Sequence, residues 1–280
     1  MRSLHVDDIS EALRRMAVAA NTELGEDVLS AFERYAQCEE SPTGRDVLGQ
    51  LVENAAIARE TKLPLCQDTG FAVVFVELGQ EVHLVGGDLY EAVNRGVRQG
   101  YQEGFLRKSI VGDPLRRVNT GDNTPAVVHL KLVPGERVRL TFAPKGGGSE
   151  NMSGIAMLRP ADGVEGVKRF VVQRVSDAGP NPCPPTVVGV GIGGTFEVAA
   201  YLSKLALLRP LGTRHPDPFY AQLEEELLTE VNRLGIGPAG LGGTTTSLDV
   251  HVEVHSCHIA SLPVAVNIQC HAARHREVEL

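Results

Sequence analysis

Residues 248–255 alternate between apolar and polar side chains so regularly that only an extended strand satisfies them. Leu248, Val250, Val252 and Val254 interleave with Asp249, His251, Glu253 and His255. Leu262, Val264, Val266 and Ile268 repeat the period just before Cys270. A two-residue period puts the apolar members on one face, so these strands need a core on that side. A second alternating pair, Val128, Leu130, Leu132 and Val138, Leu140, Phe142, flanks Pro134-Gly135-Glu136 and predicts a hairpin. Phe71–Leu78 is an apolar run of strand length, and Thr186–Val190 a shorter one.

Elsewhere the spacing is helical. Ile9, Leu13, Met16, Ala17 and Ala20 mark a first helix, Val28, Leu29, Phe32, Tyr35 and Ala36 a second, and Leu48, Leu51, Val52 and Ala55 a third. Asp88–Tyr101, Val164–Val175, Thr195–Leu208 and Pro218–Leu234 predict four more, with Glu224, Glu225 and Glu226 as a solvated face of the last. The expected fold is α+β: an N-terminal helical segment, residues 1–62, packed on a mixed β-sheet region with flanking helices, residues 63–280. The two segments are expected to form one continuous domain, since no linker or repeat separates them.

With 280 residues, 42% of them hydrophobic and 22% charged, the chain can bury a substantial core. Lys and Arg total 27 against 35 Asp and Glu, a net charge of −8, which argues against a nucleic-acid partner. No apolar run approaches the roughly 20 residues of a membrane span, and residues 1–21 are charged and amphipathic, unlike a secretion signal. A cytoplasmic protein with no membrane partner is expected.

Gly189-Val190-Gly191-Ile192-Gly193-Gly194 fits the pattern G-x-G-x-x-G, which presents backbone N–H groups to a pyrophosphate. It comes late in the chain, and no strand ending in Asp or Glu follows about 20 residues on, so tight strand–helix packing is the better account. A nucleotide-dependent oxidoreductase is the distant alternative. Cys257, His258, Cys270, His271 and His275 invite a zinc reading. However, 12 residues separate the two cysteines, and the strand between would hold them about 20 Å apart. Cys257, like Cys38 on its helix, reads as a small buried apolar residue.

Cys66, Cys183 and Cys270 differ, because each stands at a break in regular structure. Leu65-Cys66-Gln67-Asp68-Thr69-Gly70 joins a helix to a strand, Asn181-Pro182-Cys183-Pro184-Pro185 is too proline-rich for either, and Gln269-Cys270-His271 closes the last alternating strand. Thiols on rigid loops suit a metal or a cluster, although intervals of 116 and 86 residues add little. The odd total of five cysteines argues against a disulfide framework. Free, buried, metal-bound and catalytic thiols all stay open.

Several separated strings, spread from about residue 40 to residue 275, resemble class I fumarate hydratases and the α subunits of L-tartrate dehydratases. They are Leu63-Pro64-Leu65-Cys66-Gln67-Asp68-Thr69-Gly70, Lys145-Gly146-Gly147-Gly148-Ser149-Glu150-Asn151, Gly191-Ile192-Gly193-Gly194-Thr195-Phe196-Glu197 and Gly240-Leu241-Gly242-Gly243-Thr244-Thr245. The run from His258 to Asn267 and Cys270-His271-Ala272-Ala273-Arg274-His275 complete the set.

The resemblance implies a [4Fe-4S] cluster held by the thiolates of Cys66, Cys183 and Cys270, with one iron lacking a protein ligand. That open position marks chemistry rather than scaffolding. The implied reaction is reversible dehydration of a 2-hydroxy dicarboxylate, (S)-malate to fumarate in the tricarboxylic acid cycle, or alternatively L-tartrate to oxaloacetate. Gln67, Asp68, Arg107, Gly147 and Gly148 match substrate-binding positions, Asp68 a group in proton transfer, and His258 an active-site histidine. A planar arginine fork suits a carboxylate, and adjacent glycine amides can form an anion nest.

Longer members continue beyond the Cys-His-Ala-x-Arg-His string, whereas this chain stops five residues after His275. The resemblance therefore implies an α subunit that works with a separate β subunit in an (αβ)₂ assembly. A non-catalytic iron–sulfur or redox-sensing module is the remaining alternative.

Overall fold

The computed structural model describes residues 2–280. The chain runs through β1 (Arg2–His5), α1 (Val6–Thr22), α2 (Glu26–Cys38), α3 (Pro42–Thr61), β2 (Phe71–Gly79), β3 (Val82–Val85) and α4 (Leu89–Glu103). After a long loop come β4 (Val127–Val133), β5 (Val138–Lys145), the single turn α5 (Gly147–Glu150), β6 (Gly154–Leu158) and α6 (Gly163–Ala178). Then follow β7 (Thr186–Gly194), α7 (Phe196–Ala206), α8 (Pro218–Asn232), β8 (Ser247–Cys257), β9 (Leu262–Gln269) and β10 (Arg276–Glu279). The class is α+β, as expected. Among the described residues no helix is long and apolar enough to cross a membrane.

The chain forms two compact units. The first comprises the residues up to Gly25, Asn54–Gly146 and Arg274–Leu280; the second comprises Glu26–Glu53 and Gly147–Ala273.

In the first unit a four-stranded sheet has the order β10-β5-β2-β4, with β2 antiparallel to β5 and parallel to β4. The hairpin expected around Pro134-Gly135-Glu136 therefore does not form, because β2 lies between its two arms. The physical reason is burial. Ala72–Val76 are all buried, so β2 needs a partner on each edge, while no residue of β4 is fully buried and that strand tolerates the sheet edge. Residues 134–137 instead bridge the end of β2, where Gly79 N donates to Arg137 O and Gln80 N to Val133 O, both at 2.8 Å. Only glycine fits at position 79, since a Cβ would stand 2.3 Å from Gly135 O. Ile9, Leu13 and Met16 of α1 and Val93 and Val97 of α4 share one core with Val74, Val76, Leu140 and Phe142. A short strand that the helical spacing did not reveal, β1, pairs in parallel with β3.

In the second unit the order is β6-β9-β7-β8, with β7 parallel to β8 and antiparallel to β9. Val167, Val171 and Val175 of α6 and Leu223, Leu227 and Val231 of α8 pack with Val188, Val190, Val250, Val252, Val264, Val266 and Ile268. The opposite face meets α7. The glycine-rich segment is strand, not loop: a Cβ on Gly189 would stand 2.1 Å from Ser203 O, and one on Gly191 2.1 Å from Ala199 O. Helix backbone occupies the space a pyrophosphate would need, so these glycines serve packing.

Covering both faces also buries the polar members of β8. Asp249 and His251 are as inaccessible as their apolar neighbours. Gly212 N at 2.7 Å and Arg214 Nη1 at 2.8 Å donate to Asp249. Burial pushes the Asp249 carboxyl up, but His251, the Gly212 amide and Arg214 outweigh it and hold it below its usual value. Glu224 is likewise corrected from a solvated residue to a buried one. It lies next to Leu223 and three residues before Leu227 on the inward face of α8, and takes donors from Arg209 at 2.6 Å, Val252 N at 2.8 Å and His215 N at 2.9 Å.

Candidate active site

Each unit gathers its own share of the residues singled out in the sequence. In the first, residues 65–70 leave α3 and enter β2 without regular structure, because Pro64 stops the helix and Gly70, at φ +68°, takes a left-handed turn. Their carbonyls are caught by side chains from several elements. Asn54 Nδ2 donates to Leu65 O at 2.9 Å, Arg274 Nη2 to Asp68 O at 2.8 Å, and Asn123 Nδ2 to Gly70 O at 3.2 Å. The Tyr101 hydroxyl lies 2.8 Å from Thr69 O and 3.2 Å from Gly70 O. Burial raises the Tyr101 phenol well above its ordinary value, against the opposing charge of Arg274, so it stays a donor.

On this framework Cys66 and Asp68 are half-buried and Gln67 is exposed. Asp68 Oδ1 accepts from Gly70 N at 2.9 Å, and its Oδ2 lies where a Cβ on Gly146 would stand only 3.2 Å away. Arg107 is exposed, with Nη1 3.3 Å from Gln67 Oε1, while its carbonyl accepts from Thr69 Oγ1 at 3.0 Å. Gln67, Asp68 and Arg107 are thus brought together. They offer an amide, a carboxylate and a guanidinium within one short stretch of surface.

In the second unit the backbone makes the connections. Cys183 is exposed, with φ +54°, a left-handed conformation unusual for a side chain with a Cβ. Its N donates to Pro180 O at 3.0 Å, and its carbonyl accepts from His271 N at 3.2 Å, which ties the Cys183 loop to the residue after Cys270. Cys270 itself is half-buried. Gly148 belongs to the same neighbourhood, since a Cβ there would stand 3.1 Å from Asn181 O. Gly147 and Gly148 form the start of α5 rather than an open loop. Glu150 fixes that turn, because its carboxylate accepts from Lys204 Nζ at 2.6 Å and from Asn267 Nδ2 at 3.1 Å.

His258 is not brought to Cys183 and Cys270. It stands in the turn between β8 and β9, and the eight residues of β9 carry the chain about 25 Å to the Cys270 end. Its Nδ1 accepts from Ala260 N at 3.1 Å, so a neutral ring carries its proton on Nε2. Cys38 and Cys257 are both exposed, which corrects their reading as buried apolar residues. Each ends its element at the surface. Among the described residues no three His, Cys, Asp or Glu side chains stand together as ligands of one metal ion.

Sequence reasoning assigned no part to Tyr101, Asn123, Glu150, Lys204 or Arg274. Glu150 and Arg274 lie inside strings already noted, but their hydrogen bonds reach 54 and 206 residues along the chain. Arg274 is only 4% exposed, and its Nε and Nη1 have no hydrogen-bond partner among the described residues. Buried donors left unmade cost about 1–3 kcal/mol each.

These features define an α+β protein with two sets of braced loops, one presenting Gln67, Asp68 and Arg107 and the other carrying Cys183 and Cys270 on loops joined through the backbone. The chain belongs to the fumarate hydratase (fumerase) family, whose model matches residues 10–279. A protein of Methanocaldococcus jannaschii provisionally named L(+)-tartrate dehydratase subunit alpha is 44% identical over 274 residues, covering 96% of this chain and 94% of that protein. The L(+)-tartrate dehydratase subunits alpha of Escherichia coli strains UTI89 and K12 are 35% and 34% identical over 273 residues, covering 96% of this chain and 89% of each.

Proposed function

We propose that this chain is the cluster-carrying α subunit of a hydro-lyase that reversibly removes water from a 2-hydroxy dicarboxylate. The observation that carries the reading is the hydrogen bond from His271 N to Cys183 O, which joins two of the three cysteine loops in the second unit. Cys66, on the braced loop before β2, is the third thiolate. The donor set suits an iron–sulfur cluster: soft thiolates on rigid backbone, with Cys66 and Cys270 half-buried. A cluster asks for a different arrangement than a single ion, because each thiolate binds its own iron. Once bound with one iron open, the cluster supplies a Lewis acid for the substrate hydroxyl.

The protein's own groups do the rest. The Arg107 fork and the Gln67 amide hold one substrate carboxylate. The backbone amides of Gly147 and Gly148, fixed by Glu150, bind the other. Asp68, tethered at its carbonyl and at Oδ1, is placed to take the carbon-bound proton. A β subunit, in an (αβ)₂ assembly, completes the site, in keeping with the subunit names of the relatives. The names also favour L(+)-tartrate over (S)-malate as the substrate. A cytoplasmic location belongs to the same proposal, since the thiolates must stay reduced.

The test is anaerobic reconstitution of the complex with iron and sulfide, followed by assays on both acids. Turnover of either dicarboxylate is expected, faster on L(+)-tartrate. A fully iron-loaded complex inert toward both would overturn the reading.

A further inference from the structure

We propose that Arg274 is a positioning residue for Asp68, holding the backbone beneath that carboxylate from inside the first unit. This rests on the hydro-lyase reading and deepens it. Nη2 of the buried guanidinium donates to Asp68 O at 2.8 Å, while Nε and Nη1 are buried without a hydrogen-bond partner among the described residues. Neutral donors serve the next carbonyls of the same loop: the Tyr101 hydroxyl at Thr69 and Asn123 Nδ2 at Gly70.

A neutral side chain would therefore be enough to tether one carbonyl. For stability alone a buried cation with donors unmade is a poor choice, because an apolar residue of similar volume avoids its desolvation. What the guanidinium adds is direction. Its planar head presents Nη2 along a fixed line, and burial leaves it no room to swing. Asp68 is then held at two points, its carbonyl by Arg274 and its Oδ1 by Gly70 N. Both contacts restrict how the carboxylate stands relative to the Gln67–Arg107 pair.

The experiment uses the reconstituted complex carrying Arg274→Met, assayed on L(+)-tartrate and (S)-malate. We expect kcat to fall about 100-fold with KM within about threefold, as for a misplaced rather than a missing group. Thermal stability and iron content should match wild type or exceed it, a pattern that a purely structural role would not produce. In an Asp68→Asn background the same substitution should add almost nothing, because the two act as a unit. Hydrogen exchange of residues 65–70 should quicken in the Met variant without change elsewhere.

Wild-type kcat in Arg274→Met, or full additivity with Asp68→Asn, overturns the proposal. Should the Met variant not fold, Arg274→Lys takes its place. It keeps the charge but not the planar head, so kcat should fall about tenfold at unchanged KM, and wild-type kinetics would refute positioning. Failure of the hydro-lyase reading is distinguishable, because it leaves the wild-type complex itself inactive.

Discussion

The loop around Asp68 and the loop around Cys183 are held rigid by opposite means. Residues 65–70 are braced from outside by side chains: Asn54, Tyr101, Asn123 and Arg274 each donate to one of their carbonyls. The Cys183 loop is braced by backbone. It has prolines on both sides of the cysteine, a left-handed residue at its centre, and main-chain bonds to Pro180 and His271. The difference matches the role proposed for each loop. A carboxylate that moves a proton must be aimed, and several side chains set its angle. A thiolate that binds a metal needs only fixed depth and spacing, which a stiff backbone supplies. Side-chain deletions should therefore harm the first loop, and added bulk the second unit.

The largest effect separates the two roles. Asp68→Asn is expected to lower kcat about 100- to 10,000-fold while iron content stays at the wild-type level, measured on the same reconstituted sample. Loss of iron in this variant would erase the division of labour. Next comes bulk in the second unit. Gly191→Ala sets a methyl 2.1 Å from Ala199 O, so α7 must move off the sheet. A loss of about 3 kcal/mol or more in urea unfolding is expected, and wild-type stability would show that the packing is looser than described.

Much of this was legible in the sequence. Val250 and Val252, or Leu227 and Val231, face the core as their periods require. What stayed hidden depends on partners distant along the chain. Nothing in residues 128–142 records that β2, some fifty residues earlier, inserts between β4 and β5. Glu224 sat on the apolar stripe of α8, but its burial is tolerable only because Arg209 and two backbone amides converge on it. Cys66, Cys183, Cys270 and Gln67-Asp68 stand out in local motifs. Their supports, Tyr101, Asn123 and Arg274, do not, because a hydrogen bond to a backbone carbonyl leaves no pattern in the acceptor's sequence.

Smaller effects sharpen the same contrast. Tyr101→Phe removes one donor from the Asp68 loop and is expected to cost about 1–2 kcal/mol in stability, together with a several-fold loss of kcat. An unchanged kcat would mean that the loop holds without it. Acid should weaken the second unit through Asp249, whose carboxyl is held below its usual value. A depressed group stabilises fully above the ordinary carboxylate range and loses that contribution as pH falls through its lowered value. Asp249→Asn should therefore flatten the stability–pH curve below about pH 4, as read by denaturant titration. A slope equal to wild type would assign the acid sensitivity elsewhere. Thr69→Val, which removes only the bond to Arg107 O, should cost about 0.5–1 kcal/mol.

The most direct measurement is the iron and sulfide content of the anaerobically reconstituted complex carrying Cys66→Ser, set beside Cys183→Ser, Cys270→Ser, Cys38→Ser and Cys257→Ser. If the three thiolates hold one cluster, Cys66→Ser loses iron and sulfide as completely as Cys183→Ser and Cys270→Ser, while the other two keep wild-type content. Full iron and sulfide in Cys66→Ser would contradict the account.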